Sequence, residues 1–299
     1  MKYKLILLLP ILCGIFLIAC KNKTTTPPEE TSEKLQIEAS NVFDDDLTEE
    51  DLNAPTVYYS ASILKESEFS KKLEELVFYE KPKTSVDELD ENGHHVEFTK
   101  LYPLGWSKDG NFAWVTHSYT YDLGYQMTYT IQNMNTGDII WNKQITYGML
   151  EEGSEEEASE GGEGHFVIQI KKGETEEQRF KYAWMAREAI VMETLEKAGI
   201  VQNPSREFLQ QPNYQDITFT VEGVEKEEDE ENPNQYFLKS NKFDPKLIWK
   251  DYFPAHEMKI AGILKSPYSE TIVVVCMQNR QLFEMTYVTV PILTGFKLN

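Results

Sequence analysis

The feature that most constrains this chain is a cadence of short β-type runs broken by turn residues between positions 98 and 146. Phe98–Leu104, Phe112–Tyr119, Tyr125–Gln132 and Asp138–Thr146 are rich in β-branched and aromatic residues. Lys108-Asp109-Gly110-Asn111, Asp122-Leu123-Gly124 and Asn133-Met134-Asn135-Thr136-Gly137 lie between them. Gly, Asn and Asp are the residues that reverse a chain within a few positions. Breaks this short join antiparallel neighbours, because parallel strands need a crossover of about a dozen residues. A four-stranded antiparallel meander is expected.

Around this unit the pattern is weaker. Val57–Ile63 and Leu76–Tyr79 read as short strands, although Ser67–Leu76 fits a single helix equally well. His165–Ile170 resumes a strand. Thr175-Glu176-Glu177-Gln178 then matches a capping box, in which the Thr and Gln side chains satisfy each other's backbone amides. Phe180, Ala183, Trp184, Ile190, Val191, Leu195 and Ala198 follow at helical spacing, and Gly199 is placed to end the helix. The last third is β again, with strands expected at Asp216–Val221, Gln235–Leu238, Lys246–Trp249, Met258–Leu264, Thr271–Met277 and Phe283–Val290. Two acidic inserts interrupt the pattern, residues 148–164 with seven Glu and five Gly, and residues 222–231. No packed structure is expected in the first.

The N-terminus carries a different signal. Lys2 and Lys4 precede an apolar run from Leu5 to Ile18, and the run closes with Leu17-Ile18-Ala19-Cys20. A basic start, a short apolar stretch and a small residue at the cut form a secretory signal. The run is interrupted by Pro10 and falls short of the roughly 20 apolar residues that a spanning helix requires. Its last four residues resemble the lipobox of bacterial lipoproteins. That resemblance implies cleavage before Cys20 and fatty acylation, palmitate included, of the cysteine. Each buried methylene contributes about 0.8 kcal/mol and stable anchoring takes more than one chain, a condition that a di- or triacylated cysteine meets. The expected organisation is a signal peptide at 1–19, the lipidated Cys20 and an acidic tether at 20–55, and a globular β-rich domain at 56–299. The tether, with Thr24-Thr25-Thr26-Pro27-Pro28-Glu29-Glu30 and Asp44-Asp45-Asp46, has too few apolar residues to offset ordering entropy. Lys21 follows the cysteine instead of the Asp that resembles inner-membrane retention signals, so the outer membrane of the cell envelope is favoured over the inner.

Charge narrows the partners. The chain has 50 acidic and 29 basic residues, and removing residues 1–19, which hold two lysines and no acid, takes the formal net charge from −21 to −23. Such a chain repels nucleic-acid phosphates, so no nucleic acid is expected as a partner. Of three cysteines, Cys13 leaves with the signal and Cys20 takes lipid. Cys276 remains without a disulfide partner, inside a run that reads as a buried strand.

Two further resemblances concern the β unit. Ser107-Lys108-Asp109-Gly110-Asn111-Phe112-Ala113-Trp114-Val115 is similar to the hairpin opening a blade in TolB-like and WD-type propellers. Ile131 to Trp141, with Asn135-Thr136-Gly137 before the strand, resembles the blade ending of pyrroloquinoline-quinone-type propellers. Together they span one blade, whereas a closed propeller needs at least about four. Leu264-Lys265-Ser266-Pro267-Tyr268-Ser269-Glu270 ahead of Thr271–Cys276 is one partial echo of the first motif. The order of parts, from Gly105-Trp106-Ser107-Lys108-Asp109-Gly110 to Lys265-Ser266-Pro267-Tyr268, looks like that of uncharacterised lipoproteins and secreted proteins of spirochaetes. That resemblance carries no catalytic residues.

No catalytic, metal or cofactor site stands out. His94, His95, His117, His165 and His256 lack the helical pairing of zinc hydrolases and read as solvated loop and strand residues. Glu88-Leu89-Asp90-Glu91-Asn92-Gly93 mimics half of a calcium loop, but Thr99 replaces the bidentate Glu at the twelfth position. The Glu-rich inserts offer only loose, weak calcium ligands. Ser107 and Asp109 belong to a turn. Tyr119, Tyr121, Tyr125 and Tyr129 suit either a sugar or peptide surface or simple packing. The expected fold is mainly β (α+β), with antiparallel meander sheets in a partial-propeller or two-sheet arrangement and one amphipathic helix packed on a sheet. The expected function is a non-catalytic envelope lipoprotein that binds, adheres or scaffolds, with an envelope protein or a glycan as partner. The alternative is an envelope hydrolase using carboxylates.

Overall fold

Alternation within the strands explains how the layers stack. The computed structural model describes residues 57–76, 99–120, 124–151, 165–202, 207–224, 234–251, 257–283 and 286–298. All belong to one unit, Leu35–Asn299. The elements in chain order are β1 (Val57–Ser60), β2 (Lys100–Trp106), β3 (Asn111–Thr120), β4 (Gly124–Asn133), β5 (Ile139–Glu151) and β6 (Phe166–Ile170). Then come α1 (Glu176–Lys197), β7 (Glu207–Leu209), β8 (Asn213–Tyr214), β9 (Ile217–Val224) and β10 (Asn234–Ser240). β11 (Lys246–Asp251), β12 (Glu257–Lys265), β13 (Thr271–Phe283) and β14 (Thr286–Lys297) complete the order. The fold is mainly β with a single α-helix among the described residues, as expected.

The strands form three sheets, with orders β1-β6-β5-β4-β3-β2, β11-β10-β9-β8 and β14-β13-β12-β7. The expected meander is β2 to β5, antiparallel throughout. It is extended by two strands expected from the sequence, near Val57–Ile63 and His165–Ile170, whose pairing with the meander the sequence did not reveal. β5 runs on to Glu151, so Gly148–Glu151 of the supposed acidic insert is strand and pairs in parallel with β6, which pairs in parallel with β1. Likewise Glu222–Val224, the start of the second insert, closes β9, where Glu222 pairs with Lys239 by a 2.6 Å ion pair. The rest of both inserts lies outside the described residues, as do the signal peptide, Cys20 and the tether.

Three cores separate the layers. Helix α1 covers one face of the first sheet through Phe180, Ala183, Trp184, Val191 and Leu195, which meet Val115, Met127, Tyr129, Ile145 and Ile168. The other face of β2 and β3 presents Leu101, Trp106, Phe112 and Trp114 to Ala261, Leu264, Val273, Val275 and Met277 of the third sheet. The reverse of the third sheet, with Ile263, Ile272, Val274 and Cys276, packs on Ile217, Phe219, Tyr236, Leu238 and Trp249 of the second. The order is therefore helix, first sheet, third sheet, second sheet, which is one sheet more than the two-sheet alternative. No closed ring of blades forms among the described residues.

The helix begins and ends as its sequence requires. Thr175 Oγ1 accepts from the Gln178 amide at 3.3 Å, and the Thr175 amide donates to Gln178 Oε1 at 2.9 Å. At the other end Gly199 takes φ 67°, the Gly199 amide donates to Glu196 O, and the Ile200 amide donates to Leu195 O at 2.9 Å. This pair of bonds satisfies the last carbonyls of the helix. Ile190, expected on the apolar face, is 60 % exposed because Val191 takes the inward position instead. Ser67–Leu76 is not an α-helix. A short 3-10 turn, Ser70–Lys72, stands there, and Ser67 and Ser70 donate their hydroxyls to Glu188 of α1.

The partial echo in sequence is a structural one. The hairpins β2–β3 and β12–β13 each carry a bulge at a glycine, between Pro103 and Gly105 in one and between Ile260 and Gly262 in the other. Each turns at a buried serine whose amide bonds to the start of the next strand, Ser107 to Asn111 O at 2.8 Å and Ser266 to Thr271 O at 2.9 Å. At both bulges the chain leaving α1 passes too closely for a side chain. A Cβ on Gly105 would overlap the Val201 carbonyl, and one on Gly262 would overlap the Phe208 ring and the Leu209 carbonyl. Gly105→Ala and Gly262→Ala are each expected to cost about 1–3 kcal/mol, the range for forced overpacking. Urea unfolding checks this, as a lower midpoint at unchanged slope.

Candidate functional site

The first sheet presents two chemically opposite faces, and sequence reading drew attention to the aromatic one. Tyr119, Tyr125, Tyr147 and Phe166 stand opposite one another on β3, β4, β5 and β6. Their rings lie 4.8, 5.3 and 5.4 Å apart in turn, and Tyr59 of β1 meets Phe166 edge-on at 5.6 Å. This row lies under α1, which adds Phe180, the Arg179 guanidinium donating to Tyr125 Oη at 3.0 Å, and the Arg187 guanidinium 4.4 Å above Phe166. Tyr129, two rows along on the same face, is fully buried and donates its hydroxyl to Met127 Sδ at 3.6 Å. Burial raises the pKa of that hydroxyl. The aromatic face is thus mostly core, with Tyr119 and Tyr125 half-buried at its end. Tyr121 lies outside the described residues.

His117 sits in the adjacent row, against Tyr125 and Tyr147, and is not solvated, contrary to the sequence expectation. It is 1 % exposed, shares a 2.6 Å hydrogen bond through Nε2 with the Tyr147 hydroxyl and packs on Phe180. Desolvation, with a smaller contribution from the Lys100 charge, lowers its pKa from the ordinary 6.5 to about 3. His165 is also buried, with Nδ1 3.1 Å from Thr146 Oγ1. The alternation of aromatic and polar residues was a better guide to their burial than residue type. His94, His95 and His256 lie outside the described residues.

Beyond Phe112 and Trp114, which pack on the third sheet, the opposite face of β3, β4 and β5 is polar and uncharged. Trp114, Thr130 and Asn142 form one cross-strand row, Thr116, Thr128 and Gln144 the next, and Ser118, Gln126 and Thr146 the third. Thr130 donates to Asn142 Oδ1 at 3.2 Å, and Gln144 Nε2 donates to Gln126 Oε1 at 3.3 Å. Gln126 Nε2 has no hydrogen-bond partner, and Asn142 is exposed. Sequence reading missed this surface, although Gln126-Met127-Thr128-Tyr129-Thr130-Ile131-Gln132 displays it as strict alternation. Polar positions in a strand pattern are easily read as plain solvent contacts.

Gln132 carries the polar face into a shallow cleft of about 40 Å³. The cleft lies between the β4–β5 turn, β11 and the edge of β14, with Thr136, Lys246 and Thr294 among its lining. Lys246 Nζ donates to the Gly295 carbonyl at 2.6 Å and stands 4.5 Å from the Phe296 ring centre. Burial lowers its pKa.

Other candidates resolve into structure. Ser107 Oγ accepts from the Asn111 amide at 3.0 Å, which makes it a turn residue. Cys276 is buried in β13, and desolvation pushes its thiol up to about 12. Glu68 and Glu193 are lowered by hydrogen bonds from Lys71 and Lys197 at the surface. Among the described residues no three metal-binding side chains gather, and no helix is long and apolar enough to cross a membrane. The calcium-like stretch Glu88–Gly93 lies outside them. Comparison of the chain with family models, curated proteins and solved structures finds no match.

The buried imidazole gives a pH signature. Below pH 6.5 the unfolded chain takes up a proton at His117 that the folded chain refuses until about pH 3, so stability falls with acidification across that window. Relative to His117→Gln, the wild-type chain is expected to lose up to about 1.4 kcal/mol more per pH unit there. Parallel urea titrations of the two proteins from neutral pH downward measure the difference, and equal slopes would refute it.

Proposed function

We propose that this chain is a lipid-anchored lipoprotein of the cell envelope, and that its β-rich part is a non-catalytic binding module. Cys20 is the anchor in this reading, acylated after removal of residues 1–19, with the outer membrane as the favoured site. The observation that carries the binding reading is the polar face of the first sheet. A chain of formal net charge −21 keeps eight neighbouring positions of one sheet, from Thr116 to Thr146, free of any charged side chain. Amide and hydroxyl groups there donate and accept hydrogen bonds alike, which suits recognition of a polar partner such as an envelope protein or a glycan. Nothing comparable favours the hydrolase alternative.

Two experiments test the two halves of the reading. Radiolabelled palmitate is expected to enter the wild-type protein and not Cys20→Ser, and the variant should leave the detergent phase on phase separation. An unlabelled wild-type protein would remove the anchor. The mature chain, immobilised, is expected to retain a reproducible component from envelope extracts. Substituting Thr128→Glu together with Gln144→Glu should release that component, and retention unaffected by the pair would locate binding elsewhere.

A further inference from the structure

Resting on the binding-module reading, we infer that the polar face of β3 to β5 binds an uncharged glycan chain. Charge is the first consideration. The whole molecule repels anions, and its many exposed carboxylates would draw a cationic partner anywhere on the surface. A face that carries no charge gains nothing from either and matches a neutral ligand. Sugar hydroxyls are donors and acceptors at once, and so are the groups here. Gln126 and Gln144 present amides, Thr128 a hydroxyl, and Asn142 an exposed amide.

Spacing adds to this. Neighbouring strands lie about 4.8 Å apart, close to the length of one pyranose unit, so a glycan crossing the strands meets a new polar side chain at each sugar. At the far edge Tyr58 pairs with Val167, which pairs with Gly148, so its side chain projects from the same side of the sheet. It is 55 % exposed and offers a ring on which a sugar can stack. Helix α1 fills the aromatic face and the third sheet covers β2 and the start of β3 on the polar one, so the ligand approaches the part of the polar face over β4 and β5.

The test uses the mature chain with soluble cello- and chito-oligosaccharides as probes. Nuclear magnetic resonance reads the side-chain amides of Gln126, Asn142 and Gln144 directly, without any substitution. Their signals are expected to shift on titration, and the apparent affinity should hold between about 0.05 and about 0.5 M salt, since no ion pair is screened. Thr128→Ala with Gln144→Ala should weaken binding about tenfold, in keeping with the loss of one or two hydrogen bonds. Unmoved amide signals, or binding that is unchanged in the double variant, would overturn the inference. If these amides instead shift with a protein recovered from envelope extracts, the glycan inference falls and the binding-module reading stands. If neither probe nor extract moves them, both fall.

Discussion

Burial of β13 on both faces is the constraint from which the other layers follow. Ile272, Val273, Val274, Val275, Cys276 and Met277 have no measurable exposure. Val273, Val275 and Met277 pack toward the first sheet, and Ile272, Val274 and Cys276 toward the second. Fully burying a side chain of this kind is worth about 1.5–3 kcal/mol, and the net stability of a domain is only about 5–15 kcal/mol. One six-residue segment thus contributes on the scale of the whole. With Cys276 a free, buried thiol, no disulfide shares the task among the described residues.

The chain between α1 and β8 ties this central sheet to the first. Val201 bridges to Trp106 of β2, and Glu207–Leu209 then pairs with β12 as β7. The two glycine bulges let that segment lie against both hairpins, so the similarity between the hairpins has a mechanical consequence. They present matching concave edges to one connecting chain. The helix is held at its two ends by its own caps and in its middle by Glu188, which receives the Ser67 and Ser70 hydroxyls.

Much of the local structure was legible because local chemistry decides it. The turns at Asp109-Gly110 and Thr136-Gly137 delimit β3 and β4, and the Thr175–Gln178 box and Gly199 bound α1, all close to their expected places. What was not legible depends on distant partners. β5 continues past Gly148 because β6 offers it an edge, which no property of Gly148–Glu151 reveals. β14 runs through Pro291 to Lys297 because it is an edge strand, where a missing amide hydrogen costs little. His117 is buried because Tyr147 and Phe180 close over it, and a lone histidine in a strand pattern does not announce that. The polar face was present in the alternation of β4. It gained meaning only once the sheet order set Ser118, Gln126 and Thr146 side by side.

The two faces of the first sheet divide the labour. The aromatic face is consumed in holding α1, and the uncharged polar face is the one we propose as the binding surface. That surface is only as rigid as the stack behind it. Native-state amide hydrogen exchange measures this most directly. The account predicts that the amides of Ile272–Met277 exchange only through global unfolding, in the same step that releases the cores around Trp184 and Phe219. Exchange of β13 ahead of α1, or separate unfolding steps for those two cores, would contradict it.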